Sequence, residues 1–161
     1  MDIDKPTAEV ELIFEIASSL ITVMDINGTT TYTNQEFMEI SGFCREELIG
    51  LNHDMYWHSD MPVICRVNLW LTIKCDKPYR SMIKNRCKNG AFFWAESITA
   101  PLKENGQTVG YITLHSPPSR EYVIDAAALY QELKAGEYKY NQYIQNYYLA
   151  AHEQINRPSA P

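Results

Sequence analysis

The chain has 161 residues, 45% apolar and 21% charged, with a formal net charge of −6. That length allows one domain with a real core plus an appendage. The acidic balance argues against nucleic-acid binding, because no basic stripe is available to neutralise phosphates. No apolar run is long enough to span a bilayer.

The N-terminus, "MDIDKPTAEVELIFEIASSL", is acidic where a signal peptide needs positive charge. A soluble, cytoplasmic chain is therefore expected. Residues 8–19 have apolar positions at 10, 12, 13, 14 and 16, the spacing of a short amphipathic helix. "LITVMD" then reads as a strand, and Asn27-Gly28 marks a hairpin into "TTTYT". "NQEFMEISG" reads as a short helix, capped by Asn34 and stopped by Gly42. "REELIG" gives a second helical turn ending at Gly50.

"HDMYWHSDMP" follows, from His53 to Pro62. Pro62 opens a longer helical run with Val63, Val67, Trp70 and Lys74 along one line. Three strand-like runs come next: "YRSMIKNRCK", "AFFWAESITAPLK" and "TVGYITLHS". Asn89-Gly90 and Asn105-Gly106 divide them into hairpins. "SPPSR" breaks the chain at 116–120, and the remainder is rich in helix formers, with Gly136 as a possible joint. The expected fold is α+β: a five-stranded antiparallel sheet, short helices on one face, and flanking helices at both ends. The corresponding segments are a cap helix at 1–19, a domain at 20–116 and a helical extension at 117–161.

Four cysteines, Cys44, Cys65, Cys75 and Cys87, form no CxxC pair and are read as reduced thiols. No activated nucleophile and no glycine-rich phosphate loop is evident, so an enzyme is not expected. His53, His58 and Asp60 offer three metal ligands, but the histidines are five apart instead of the four of a zincin helix. A closed structural zinc site would also want a fourth ligand, usually cysteine, nearby, and no metal is expected. Tyr56 and Trp57 with His53, His58 and Asp60 instead give flat apolar surfaces with a few polar groups, the ingredients of a small-molecule pocket. Asn85 lies on a strand with Lys84 and Arg86 on the opposite side, and an inward amide needs a partner.

"NQEFMEISGFCREELIG" resembles the signature of PAS domains at Asn34, Phe37, Ser41, Gly42, Phe43, Glu47, Leu48 and Gly50. The resemblance covers residues 20–116. "HDMYWHSDMP", Trp70 and "KNRCKNGAFFW" are most similar to the sensor domains of bacterial aerotaxis receptors. That resemblance implies a non-covalent FAD held by Asn34, His53, Trp57, His58, Asp60, Trp70 and Asn85. It also implies a redox or oxygen sensor in chemotaxis that signals to a chemoreceptor or other signalling domain in cis or trans, expected as a homodimer. Trp57 stands where that subgroup has Arg, and Ser59 where it has Pro. His53 occupies the position where light-oxygen-voltage photoreceptors carry a reactive cysteine, so no covalent flavin adduct can form there. Two alternatives stay open: a haem-binding gas sensor using His53 or His58, and a cofactor-free dimerisation domain.

Overall fold

The computed structural model describes residues 9–15 and 19–155, with side chains described as far as Gln142, that of Tyr140 excepted. Strands β1 (Leu20–Asp25) and β2 (Thr30–Thr33) form the first hairpin. Helices α1 (Gln35–Ser41) and α2 (Arg45–Leu48), a 3₁₀ turn (His53–Tyr56) and helix α3 (Val63–Ile73) follow. Strands β3 (Tyr79–Arg86), β4 (Phe92–Glu104) and β5 (Gln107–Ser116) form the meander, and α4 spans Arg120–Ile155. The five strands pair antiparallel in the order β2-β1-β5-β4-β3. The expected α+β architecture is therefore the observed one.

Local chemistry accounts for the joints. The Asn34 side chain accepts from the N–H of Phe37 and so caps α1, while Gly42 at φ +73° ends it in the left-handed conformation. Asn105 and Gly106 both have positive φ, as a two-residue hairpin between β4 and β5 requires. Phe37 fills the centre of the core, with Tyr56, His115 and Phe93 at ring-centroid distances of 5.2, 5.7 and 6.2 Å.

Three expectations change. Residues 9–15, the described part of the expected N-terminal helix, run extended; the rest of 1–19 apart from Ser19 lies outside the described residues. Leu12 donates to the carbonyl of Phe92 (2.7 Å), and the Phe92 N–H donates to that of Val10 (2.9 Å). This segment thus takes the place beside the start of β4 that β5, ending opposite Glu96, leaves free. Secondly, α4 runs unbroken through Gly136. Thirdly, α3 buries Cys65, Leu69 and Ile73, and the line of Val63 and Val67 faces outward.

Helix α4 packs along β3 and β4 through Val123, Ala126 and Tyr130. The Tyr130 hydroxyl donates to the carbonyl of Met82 (2.5 Å), and its ring lies 5.9 Å from that of Trp94. All four cysteines are free thiols. No helix among the described residues is long and apolar enough to cross a membrane.

Gly110 admits no side chain, since a Cβ there would lie 2.5 Å from the backbone oxygen of Met24 across the β1–β5 pair. Gly136 has open space around it in mid-helix. Gly110→Ala should therefore destabilise the chain by about 1–3 kcal/mol. Gly136→Ala should stabilise it by about 1 kcal/mol. Urea denaturation checks both, and equal midpoints for the two variants would contradict this packing.

Candidate functional site

A strand presents alternate residues to one face. On the inner face of this sheet those residues are polar to an uncommon degree. Thr22, Thr33, Asn85, Ser97, Thr99, Thr113 and His115 are all buried there. Cross-strand register turns most of them into pairs. Thr99 and Thr113 lie opposite each other, with their hydroxyls 2.8 Å apart. Ser97 lies opposite His115, with its Oγ 2.7 Å from Nδ1, and Thr22 Oγ1 lies 3.3 Å from Nε2 of the same ring. Ser97 and His115 have the elements of a nucleophile and its base, but both are buried inside the sheet-helix layer. Burial also pushes the His115 pKa down to about 3, so the ring is neutral.

Three residues break this pattern of satisfied pairs. Both amide atoms of Asn85, both ring nitrogens of His53 and the Thr33 hydroxyl have no protein partner. Asn85 is fully buried and His53 is 7% exposed. Burial also lowers the pKa of His53, so its ring presents one donor and one acceptor. An unpaired buried polar group costs about 1–3 kcal/mol. These are the unsatisfied buried polar side-chain atoms among the described residues.

Aromatic rings wall the same region. The His53 ring meets Trp57 and Trp70 edge to face, each at 5.7 Å, and Trp70 meets Tyr111 at 5.8 Å. The β1–β2 turn closes over them. A Cβ at Gly28, which has φ +88°, would lie 2.8 Å from Trp70 Cζ2 and 3.3 Å from His53 Nδ1. Glycine at this point lets the backbone lie on the indole. The His53 N–H donates to the Gly28 carbonyl (2.9 Å), which fixes the ring's place.

The seven residues singled out from the sequence thus fall into three places. His53, Trp57, Trp70 and Asn85 come together at the inner site. Trp57 reaches it by forming a bridge with Asn85 on the edge strand β3. His58 and Asp60 cross that edge and face the other way. The His58 ring bonds to Glu9 (3.0 Å), and Asp60 bonds to Lys84 (2.6 Å). Burial works against the charge on Asp60, but Lys84 outweighs it and holds the carboxyl below its usual range. Asn34 stands apart, with its amide committed to backbone groups of Ser19, Ile21 and Phe37. Glu9, His58 and Asp60 bring possible metal-ligand atoms within 4.8 Å of one another. The Lys84 ammonium, 2.6 Å from Asp60 and 3.5 Å from Glu9, already pairs with both carboxylates of that cluster.

The sequence reading missed the hydroxyl-bearing inner face. Its signal was present in the alternation Ser97, Thr99 on β4 and Tyr111, Thr113, His115 on β5. It also missed Gly28, which was read only as a turn residue.

Comparison with known proteins identifies the family and the fold. The profile of the PAS fold matches residues 30–115, and the chain belongs to that family. It is 31% identical to the aerotaxis receptor of Escherichia coli (strain K12) over 119 residues, covering 74% of this chain and 24% of the receptor. It is 24% identical to the nitrogen fixation regulatory protein of Klebsiella pneumoniae over 112 residues, covering 69% of this chain and 23% of the regulator. The chain therefore spans about a quarter of the length of these relatives. Among solved structures, a light-oxygen-voltage domain studied with a flavin analogue matches with a TM-score of 0.60 at 18% identity, covering 75% of this chain and 90% of that one. The light-oxygen-voltage domain of the blue-light photoreceptor Aureochrome1 matches equally, at 0.60 and 18%, covering 72% and 91%. These two likenesses establish the fold.

Burial of neutral His115 has a consequence for stability. The unfolded chain takes up a proton near the ordinary value of 6.5, and the native ring does so only near pH 3. Between those values the unfolded state binds more protons. Stability therefore falls as pH drops below about 6.5, with a limiting slope of about 1.4 kcal/mol per pH unit, and is unaffected above it. Replacing the ring with a non-titrating amide, His115→Asn, should reduce the stability lost between pH 7 and pH 5 by about 2 kcal/mol. Urea midpoints at the two pH values test this, and an unchanged difference would place the titrating group elsewhere.

Proposed function

We propose that this chain is a sensory PAS module that holds FAD non-covalently between its helices and the inner face of its sheet. In this reading it passes the redox state of that flavin to a signalling or chemoreceptor domain, in cis or in trans, as a cytoplasmic homodimer in chemotaxis. The chain is a sensor in this reading and not an enzyme.

The observation that carries the proposal is Asn85, a fully buried amide with neither its donor nor its acceptor used. A flavin ring has a polar edge that alternates acceptors with a donor, and an amide matches it on both counts. Trp57, Trp70 and Tyr111 supply the flat apolar walls such a ring needs. His53 adds a neutral donor and acceptor close by. Similarity to the aerotaxis receptor supports the sensory class.

When bound, the flavin supplies reversible oxidation and reduction. The chain's residues do the rest. Asn85 orients the polar edge and favours one redox state over the other through its hydrogen bonds. Trp70 is held in place by Gly28 and Tyr111 and keeps water from one side. Trp57, standing where the related sensors carry Arg, contributes ring contact instead of a charge. A second reading rests on His53 alone: a buried imidazole with both nitrogens unpartnered also suits an axial ligand to haem.

The visible spectrum of purified protein separates these readings, with heat release of any cofactor. Flavin bands and released FAD are expected. A Soret band would transfer the assignment to haem, and colourless protein that takes up no flavin would leave a cofactor-free interaction module.

Two variants test the residue roles. Asn85→Ala should shift the midpoint potential of the flavin, and an unchanged potential at full flavin content would remove Asn85 from the ring. Trp70→Ala should lower flavin retention by roughly 1 kcal/mol or more. Full occupancy in that variant would make Trp70 a packing residue only.

A further inference from the structure

An antiparallel sheet with one face on the core and one in water alternates apolar-in with polar-out. This sheet does the reverse. Strand β1 turns Thr22 inward between Ile21 and Val23, and β5 turns Thr113 inward between Ile112 and Leu114. We propose that the outer face of β2, β1, β5 and β4 is the surface on which a second copy of the chain docks, sheet against sheet. The proposal rests on the homodimer of the proposed function and assigns its interface.

Register gathers the outward apolar residues into two rows. Tyr32, Val23, Ile112 and Ala100 are cross-strand neighbours, and so are Ile21, Leu114 and Ile98. Tyr32 is 45% exposed and Leu114 42%, and the others are half-buried. Four strands and two rows make a floor of roughly 19 by 14 Å. No charged residue stands in either row. The first charge is Arg80, beyond Ile98 on β3, and it is paired with Glu96 (2.7 Å). Helix α4 does not cover this floor. It crosses the sheet's outer side at Trp94 and Met82 and leaves past the β3 edge, where Glu137 accepts from the N–H of Ile64 (3.4 Å). Residues 1–8, "MDIDKPTA", offer only Met1 and Ile3 as large apolar side chains for the task.

Charge and shape point to a second copy. The chain carries a net charge of −6, so two copies repel except where a face is free of charge. An uncharged apolar face is also self-complementary, as a two-fold interface requires. Helix α4 supplies a wall beside the floor. Ile124, Ala127 and Lys134 line its flank towards Phe92 and Lys84. Helical periodicity puts Tyr122 and Leu129 on the other flank, towards Ile98, and they are 57% and 51% exposed. Packed sheets stand about 10 Å apart, which is the thickness of a helix. The wall therefore has the height of the gap between two such sheets. Glu121, Asp125 and Glu132 on the outward side of α4 are exposed, and a sheet laid across the helix would bury them. The partner consequently lies beside α4, with its own β2 edge against Tyr122 and Leu129. Floor and wall together approach the larger area, about 800 Å² per partner, that a stable interface buries.

Sedimentation velocity of the full chain over a concentration series tests this. The wild type should be a dimer that dissociates on dilution. Leu114→Lys on the floor and Leu129→Lys on the wall should each weaken it about ten-fold or more, as loss of a central interface contact does. Leu114→Ser is a milder change at the same half-exposed position and should act in the same direction. Ile124→Lys alters an apolar residue of similar exposure, 58%, on the opposite flank of α4, and should leave the dimer unchanged. Urea midpoints confirm that each variant is folded. A dimer indifferent to the floor and wall variants would overturn this face and leave the homodimer reading standing. Equal weakening by Ile124→Lys would also overturn the face. A monomer at every concentration would overturn both, and would leave the floor to a different domain.

Discussion

The covering of the edge strand β3 by residues 57–61 is the constraint on which the rest of the molecule depends. An edge strand exposes unpaired backbone groups and invites pairing with another chain. Here the His58 N–H satisfies the Lys84 carbonyl, Met61 Sδ lies 3.3 Å from the Lys84 N–H, and the Tyr130 hydroxyl satisfies the Met82 carbonyl. The same segment carries Trp57 inward and Asp60 outward. One stretch of backbone therefore closes the sheet, walls the inner site and reaches the sheet's outer side.

The polar inner face shows what the fold tolerates and what it leaves unfinished. Cross-strand register brings hydroxyl opposite hydroxyl and Ser97 opposite His115, so most of the buried polar groups satisfy one another. A sheet built only for stability would have apolar residues at these positions, because a satisfied polar pair gains little over an apolar one. Of the three exceptions, Asn85 and His53 lie next to the aromatic walls, while the Thr33 hydroxyl lies on the far edge strand β2. Two of the three unpaired groups thus stand where flat apolar surface is also available, the combination a ring-shaped ligand requires.

Much of this was legible in the sequence because it depends on short-range chemistry. The asparagine-glycine turns, the Asn34 cap and the Gly42 stop follow from backbone preferences of those residues alone. Strand alternation put Asn85 on the side opposite Lys84 and Arg86, and the family resemblance supplied which side is inward. Other features depend on partners far away in the chain. Residues 10–14 carry an apolar pattern that fits a helix, and only the free flank of Phe92 makes them extended. Alternation put Lys84 on the side opposite Asn85, and its burial there depends on Glu9 and Asp60. His58 and Asp60 occupy a loop with no periodicity, so nothing local could tell that they turn away from His53. Helix α3 has apolar residues on both sides, and periodicity could not choose between Val63–Val67 and Cys65–Leu69–Ile73.

The N-terminal segment gives these local facts a common consequence. Glu9 holds His58, Leu12 and Val10 hold Phe92, and Glu11 holds Arg120 in the first turn of α4. One extended segment therefore ties the wall of the site, the start of β4 and the base of the long helix. The ties differ in kind. Those to Phe92 are backbone hydrogen bonds, that to Arg120 is a surface ion pair worth about 1 kcal/mol or less, and that to His58 joins an exposed carboxylate to a mostly buried ring. A shift of the wall can break the weaker ties and leave the strand in register. Alternatively the ties hold, and the shift is carried to Arg120. A ligand biases such a balance only through contacts that differ between its states. Trp57 and Asn85, joined across the β3 edge, are the residues through which that bias would enter the wall. The energy needed to choose between the two arrangements is that of one or two side-chain contacts, which is small beside the stability of the sheet.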